Sequence, residues 1–128
     1  MLKNTKAFSS LSVDDIKKAK EFYGKTLDLK VKETMQGLDL TLPNGSNVFI
    51  YPKPNHIPAT FTVLNFKVDN IDKAVSDLKQ IGIQIELYDT KEMKADNSGI
   101  YRGKAVGQGP DIAWFKDPAG NVLSVLEE

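Results

Sequence analysis

Cysteine is missing from the 128-residue chain, and histidine and tryptophan occur once each, as His56 and Trp114. Without cysteine there are no disulfides, no thiolate nucleophile and no cysteine-based zinc or iron–sulfur site. An excess of either charge is missing as well. The 17 Lys and Arg balance 17 Asp and Glu, and lysines alternate with carboxylates along the whole chain. No basic stripe is left to track a phosphate backbone, so nucleic acid is not an expected partner. No apolar run approaches the ~18 residues of a membrane span, and the opening MLKNTK lacks the apolar core of a signal peptide. The expectation is a cytoplasmic protein with no membrane partner.

What is present is regular. Ile16, Ala19, Phe22, Tyr23 and Leu27 fall on one helical face, after the N-cap candidates Asp14 and Asp15. Ile71, Ala74, Val75, Leu78 and Ile81 repeat the pattern after Asp69 and Asn70, and Gly82 supplies a stop. The remaining apolar segments alternate or are rich in β-formers: 7–13, 29–34, 38–42, 47–51, 61–68, 84–88, 111–115 and 121–126. Turn signals separate them, notably Pro43-Asn44-Gly45 and Asp117-Pro118-Ala119-Gly120.

The order is strand, helix, three strands, then the same again, which is an internal repeat. FSSLSVDDIKKA from Phe8 aligns with VLNFKVDNIDKA from Val63 at a constant offset of 55. At the hairpins Pro43-Asn44-Gly45 matches Pro118-Ala119-Gly120, and Asn47-Val48 is paired with Asn121-Val122. The predicted fold is α+β: two βαβββ modules forming curved mixed sheets around a concave cavity. Module one covers about 5–53, a proline-bearing linker about 53–60, and module two about 61–128. The stretch Thr90 to Pro110 carries four glycines and reads as a long loop with a short strand. It is either a border of a ligand site or a variable surface excursion.

Two βαβββ modules, the VDDIKKAKEFY block and the terminal FKDPAGNVLSVLE block resemble the vicinal oxygen chelate superfamily. That group includes glyoxalase I, extradiol dioxygenases, fosfomycin-resistance transferases and bleomycin-resistance proteins. The resemblance spans the chain as a single domain; Asp28 stands where the family usually has Gly after the first helix. It implies a concave sheet face holding one divalent metal through residues on the first and last strand of each module. Those positions fall on Phe8, Ile50, Val63 and Ser124. Phe, Ile, Val and Ser do not serve a metal that needs imidazole or carboxylate ligands, so no metal and no cofactor are expected. His56, in the linker, reads as a surface residue, and no Ser–His or Cys–His nucleophile pair is expected.

Alternation then assigns the cavity face. With Phe8 go Ser10 and Ser12; with Val63 go Asn65 and Lys67; Val48, Ile50 and Pro52 line one closing strand, and Val122, Ser124 and Leu126 the other. Lys67 and Arg102, the sole arginine, are candidate partners for an anionic ligand, and Trp114, Phe115 and Tyr101 are candidate stacking surfaces. Alternation leaves open which of Trp114 and Phe115 faces inward.

The resemblance implies a metal-free binding protein like the bleomycin-resistance branch. It would sequester or sense an apolar or aromatic compound in a cleft formed by the two modules, in a homodimer. Two alternatives stand beside it. One is a lyase or other enzyme of the family with non-standard catalytic residues, or with metal held by Asp39, Asp111 or Glu127. The other is a scaffold whose surface meets a protein partner.

Overall fold

The computed structural model describes residues 1–88 and 94–128. The chain divides into two compact units, Met1–Pro58 and Ala59–Glu128. In the first, strand β1 (Ser9–Val13) leads into helix α1 (Ile16–Glu21), followed by β2 (Lys30–Glu33), β3 (Leu38–Thr41) and β4 (Asn47–Pro52). In the second, β5 (Thr62–Lys67) leads into α2 (Ile71–Gln80), followed by β6 (Tyr101–Arg102), β7 (Asp111–Lys116) and β8 (Val122–Glu127). Each unit has one four-stranded mixed sheet, ordered β1-β4-β3-β2 and β5-β8-β7-β6. The first strand of each lies parallel to the last, and the other neighbours are antiparallel.

Both helices start at the caps that the sequence offers. The Asp15 carboxylate accepts from the amides of Lys17 and Lys18 at 3.0 and 3.2 Å, and the Asn70 side-chain oxygen accepts from Lys73 N–H at 3.0 Å. The first helix does not run as α-helix to Leu27. Its last turn, Phe22–Thr26, widens so that the Leu27 amide donates to the Phe22 carbonyl at 2.8 Å. Phe22 and Tyr23 are both buried there, with their rings edge to face. Asp28 then takes the left-handed conformation, φ 55°, that a glycine would adopt more cheaply.

One face of each sheet is dry. Leu11, Val13, Leu38, Leu40, Val48 and Ile50 are buried in the first unit, beside Ala19, Phe22 and Tyr23. Ala113, Phe115, Leu123 and Val125 do the same in the second, beside Ile71, Val75 and Leu78 of α2. Gly37, in the loop between β2 and β3, sits where a Cβ would fall 2.2 Å from the Ile50 carbonyl oxygen, so only glycine fits.

The segment 84–88, expected as a strand, contributes one bridge only, Glu86 to Trp114. Tyr101–Arg102 pairs farther along the same side of β7, with Ile112 and Asp111. In the glycine-rich stretch, residues 90–93 lie outside the described residues. From Lys94 onward it holds a tight turn at Asp96, whose carboxylate accepts from the amides of Ser98 and Ile100 (both 2.9 Å), then β6 and a short 3₁₀ turn at Lys104–Val106. Among the described residues no helix is long and apolar enough to cross a membrane.

Candidate functional site

The wet face of the first sheet follows from its register. Neighbouring residues across strands share a face. Ser10 lies beside Phe49 and Ser12 beside Tyr51; Asp39 lies beside Phe49, and Lys32 beside Asp39. Thr41 lies between Asn47 and Lys30. The Phe49 and Tyr51 rings stack, 5.9 Å between centroids and 14° from parallel. Phe8, two-thirds exposed, shares with Phe49, Asp39, Thr41, Asn47 and Lys30 an open depression of about 800 Å³.

Ile50 is not on this face. It pairs with Leu11 and Leu38 and is fully buried on the helix side, where Val48 is buried as well. The turns show why. Gly45 N–H donates to Leu42 O and Leu42 N–H to Ser46 O; Gly120 N–H donates to Asp117 O and Asp117 N–H to Asn121 O. Ser46 therefore corresponds to Asn121, and Phe49 to Ser124. Pairing Asn47 with Asn121 slipped the strand by one residue, and with a side-chain period of two that moves every residue to the other face. Holding the Gly45–Gly120 offset constant would have found Phe49.

His56 also departs from expectation. It is half-buried, and its Nδ1 lies 2.7 Å from the Ser12 hydroxyl. The linker folds back on β1 through this bond and through Lys53 N–H to Val13 O at 2.9 Å. A Ser–His pair is thus assembled, from residues 44 apart.

In the second unit the wet face carries Asn65, Ser124 and Trp114 in one row, since Asn65 and Trp114 both flank Ser124. Trp114, not Phe115, faces this side; Phe115 is buried toward α2. Ser124 is fully buried and its hydroxyl donates to Asn65 Oδ1 at 2.6 Å. Trp114 Nε1 donates to Thr62 Oγ1 at 3.0 Å, and Tyr88 meets the indole edge-on at 5.4 Å. A register irregularity between Thr62 and Leu64 lets Thr62 and Asn65 share the face, with Val63 the extra residue. Lys67 is exposed and ion-paired with Glu128 at 2.9 Å. Tyr101, next to Ile112, is on the Trp114 side, and its hydroxyl donates to Gln108 at 2.9 Å.

Arg102 is not. Its neighbour in the sheet is Asp111, and its guanidinium forks onto Asp72 of α2 at 2.6 and 3.2 Å while Nε donates to Asp96 at 3.0 Å. Arg102 is a staple between β6, the Asp96 turn and the first turn of α2. The guanidinium bond holds the Asp72 carboxyl below its usual range. Burial pushes Asp96 up, but the Ile100 amide, the guanidinium and the Ser98 amide outweigh it and hold it low. Glu127 is lowered by its bond to Lys104 and by the Ile71 amide, which it accepts at 2.9 Å. Asp111, accepting the Lys104 amide, and Glu127 are therefore committed on the helix side of the second sheet.

The fold and this arrangement define a class. The profile of the Glyoxalase/Bleomycin resistance protein/Dioxygenase superfamily matches residues 7–125, and the chain belongs to that superfamily. Among solved structures it is similar to a glyoxalase family protein from Enterococcus faecalis (21% identity, 99% of this chain and 100% of that one, TM-score 0.69). It is also similar to the genomically encoded fosfomycin resistance protein FosX from Listeria monocytogenes (12%, 98% and 93%, 0.68). A third is an antibiotic binding protein from Streptomyces sp. CB03234 (19%, 97% and 97%, 0.62). At these identities the likeness shows the fold. A search of curated protein sequences returns no match.

The metal that the superfamily resemblance implies does not fit the residues found here. With the register followed in both units, its positions fall on Phe8, Phe49, Thr62 (in place of Val63, the extra residue) and Ser124. Two phenyl rings and two hydroxyls, one accepting from Trp114 and one donating to Asn65, offer no imidazole or carboxylate. Among the described residues no group of three or more His, Cys, Asp or Glu is placed to hold a metal ion.

Proposed function

We propose that the protein is a metal-independent small-molecule-binding member of its superfamily that sequesters or senses an apolar or aromatic compound. The observation that carries this reading is the Trp114 face of the second sheet. A half-buried indole, edge-packed by Tyr88, sits among Thr62, Asn65 and Ser124, whose side chains are hydrogen-bonded and so fixed in orientation. An apolar surface with a few positioned polar groups is what ligand recognition uses. Phe49 and Tyr51 add a second aromatic shelf on the first sheet. We further propose a cytoplasmic homodimer, which light scattering checks.

The test is a thermal-shift screen of planar compounds and antibiotics on chelator-free protein. A ligand at 100 times its Kd stabilises by about 2.7 kcal/mol, a rise of about 10 °C for a chain of this size. Trp114→Ala abolishes the shift for ligands seated on the second sheet. Near-stoichiometric bound metal by elemental analysis, or a melting shift of several degrees on its removal, refutes metal independence; an empty screen refutes the binding reading.

A second reading rests on the Ser12–His56 hydrogen bond: a lyase or other enzyme using non-standard residues. Conversion of a screening hit into product, lost in His56→Ala, would favour it.

A further inference from the structure

We infer that the depression on the first sheet takes a planar aromatic anion, its ring against Phe49 and Phe8 and its charge beside Lys30. This rests on the small-molecule reading above and names the ligand class for one sheet face.

The register sorts the lining into two rows. One row is Lys32, Asp39, Phe49 and Ser10; the next is Lys30, Thr41 and Asn47. In the first row Lys32 stands directly across from Asp39, so opposite charges face each other by register, with no ion pair closed between them among the described residues. Glu33, at the rim, is paired with Lys20 at 3.0 Å. Lys30 has no carboxylate directly across from it, and no ion pair or hydrogen bond engages its ammonium among the described residues. Its cross-strand neighbours supply a hydroxyl and an amide, Thr41 and Asn47, whose side chains are likewise uncommitted among the described residues. One ammonium, one hydroxyl and one carboxamide in line, at cross-strand spacing, form a donor row for a sulfonate or carboxylate.

The other end is apolar. Phe49 is half-buried, with its ring held by stacking on Tyr51, and so presents a fixed surface at small entropic cost. Phe8 is two-thirds exposed at the mouth, where a bound ring would cover it. The volume, about 800 Å³, is in the range of sites for drug-sized ligands.

The test uses the full chain and three probes sharing one ring system: 2-naphthalenesulfonate, 2-naphthylmethanol and 2-naphthylmethylammonium. Affinities come from calorimetry and amide chemical-shift titration. The sulfonate is expected to bind about five-fold tighter than the alcohol, with shifts at Thr41, Asn47 and Phe49. Lys30→Gln should weaken the sulfonate about five-fold, the worth of one exposed charge-assisted bond, and leave the alcohol nearly unchanged. Phe49→Leu, which keeps bulk but removes the ring face, should weaken all three.

The inference is overturned if the ammonium binds as tightly as the sulfonate. It is equally overturned if Lys30→Gln leaves sulfonate affinity intact, as expected of a lysine that only blunts the sheet edge, or if no probe binds at millimolar concentration. The broader binding reading falls only if the compound screen is also empty. A sulfonate that binds no tighter than the alcohol, with both indifferent to Lys30, would overturn the anion and leave that reading standing.

Discussion

Replacing Ile50 and Phe49 by alanine, one at a time, separates the two faces of β4. Ile50 has no exposed surface and packs between Leu11 and Leu38. Truncation deletes three buried carbons, about 2.4 kcal/mol of transfer energy at ~0.8 kcal/mol per methylene, and leaves a partly collapsed cavity. A total of about 3 kcal/mol lowers the melting temperature by about 10 °C for a chain of this length. Phe49 already exposes part of its ring, and its loss leaves an open dent rather than a cavity, so about 1.5 kcal/mol is expected. Both positions lose the same β propensity, which cancels in the comparison. Urea titration monitored by circular dichroism gives both values, and ligand titration gives the complement: Phe49→Ala loses binding on the first sheet, while folded Ile50→Ala keeps it. Were Phe49→Ala the more destabilising of the pair, the register, and with it the assignment of the wet face, would be wrong.

Three further outcomes follow from the contacts. Asp72, Asp96 and Glu127 are held below their ordinary values, so their stabilisation is complete above the unfolded carboxylate pKa near 4. It is lost as pH falls through the depressed folded values, where the unfolded chain binds more protons. Arg102→Gln should flatten that acid limb in urea midpoints measured between pH 7 and pH 2; an unchanged limb would mean the staple is idle. Gly37→Ala should cost about 1–3 kcal/mol by forcing Cβ against the Ile50 carbonyl, and a neutral result in thermal melts would contradict the close approach. Because Trp114 is the only indole, a ligand on the second sheet should shift or quench its emission; a second-sheet binder leaving the spectrum unmoved would place Trp114 elsewhere.

Much of the fold is legible in local chemistry. Asp15 and Asn70 cap because their short side chains reach back to free amides, and the glycine turns recur because each needs positive φ, 86° at both Gly45 and Gly120. The wet face is legible in part. Ser10, Ser12, Asn65 and Ser124 lie on the face to which alternation sends them, whereas the choice between Trp114 and Phe115, open in the sequence, is decided by the pairing of Trp114 with Ser124. Phe49 was hidden by a one-residue slip after a turn, and Thr62 by an irregularity in β5 that no residue type announces. Arg102 reads as a free cation because its three carboxylates come from segments 6, 9 and 30 residues away in sequence.

The amino-acid sequence by itself determined the repeat, the order of its elements and the poverty of metal ligands, since these depend on composition and spacing alone. Absence of cysteine and the single histidine excluded thiolate chemistry and a histidine-rich metal centre before any contact was known. Only tertiary structure decided which side chains meet. Pairing register, with its period of two, sent Phe49 to the wet face and Ile50 to the core, and long-range closure brought His56 onto Ser12. Both depend on hydrogen bonds between strands and segments far apart in the chain, and local pattern carries no record of them.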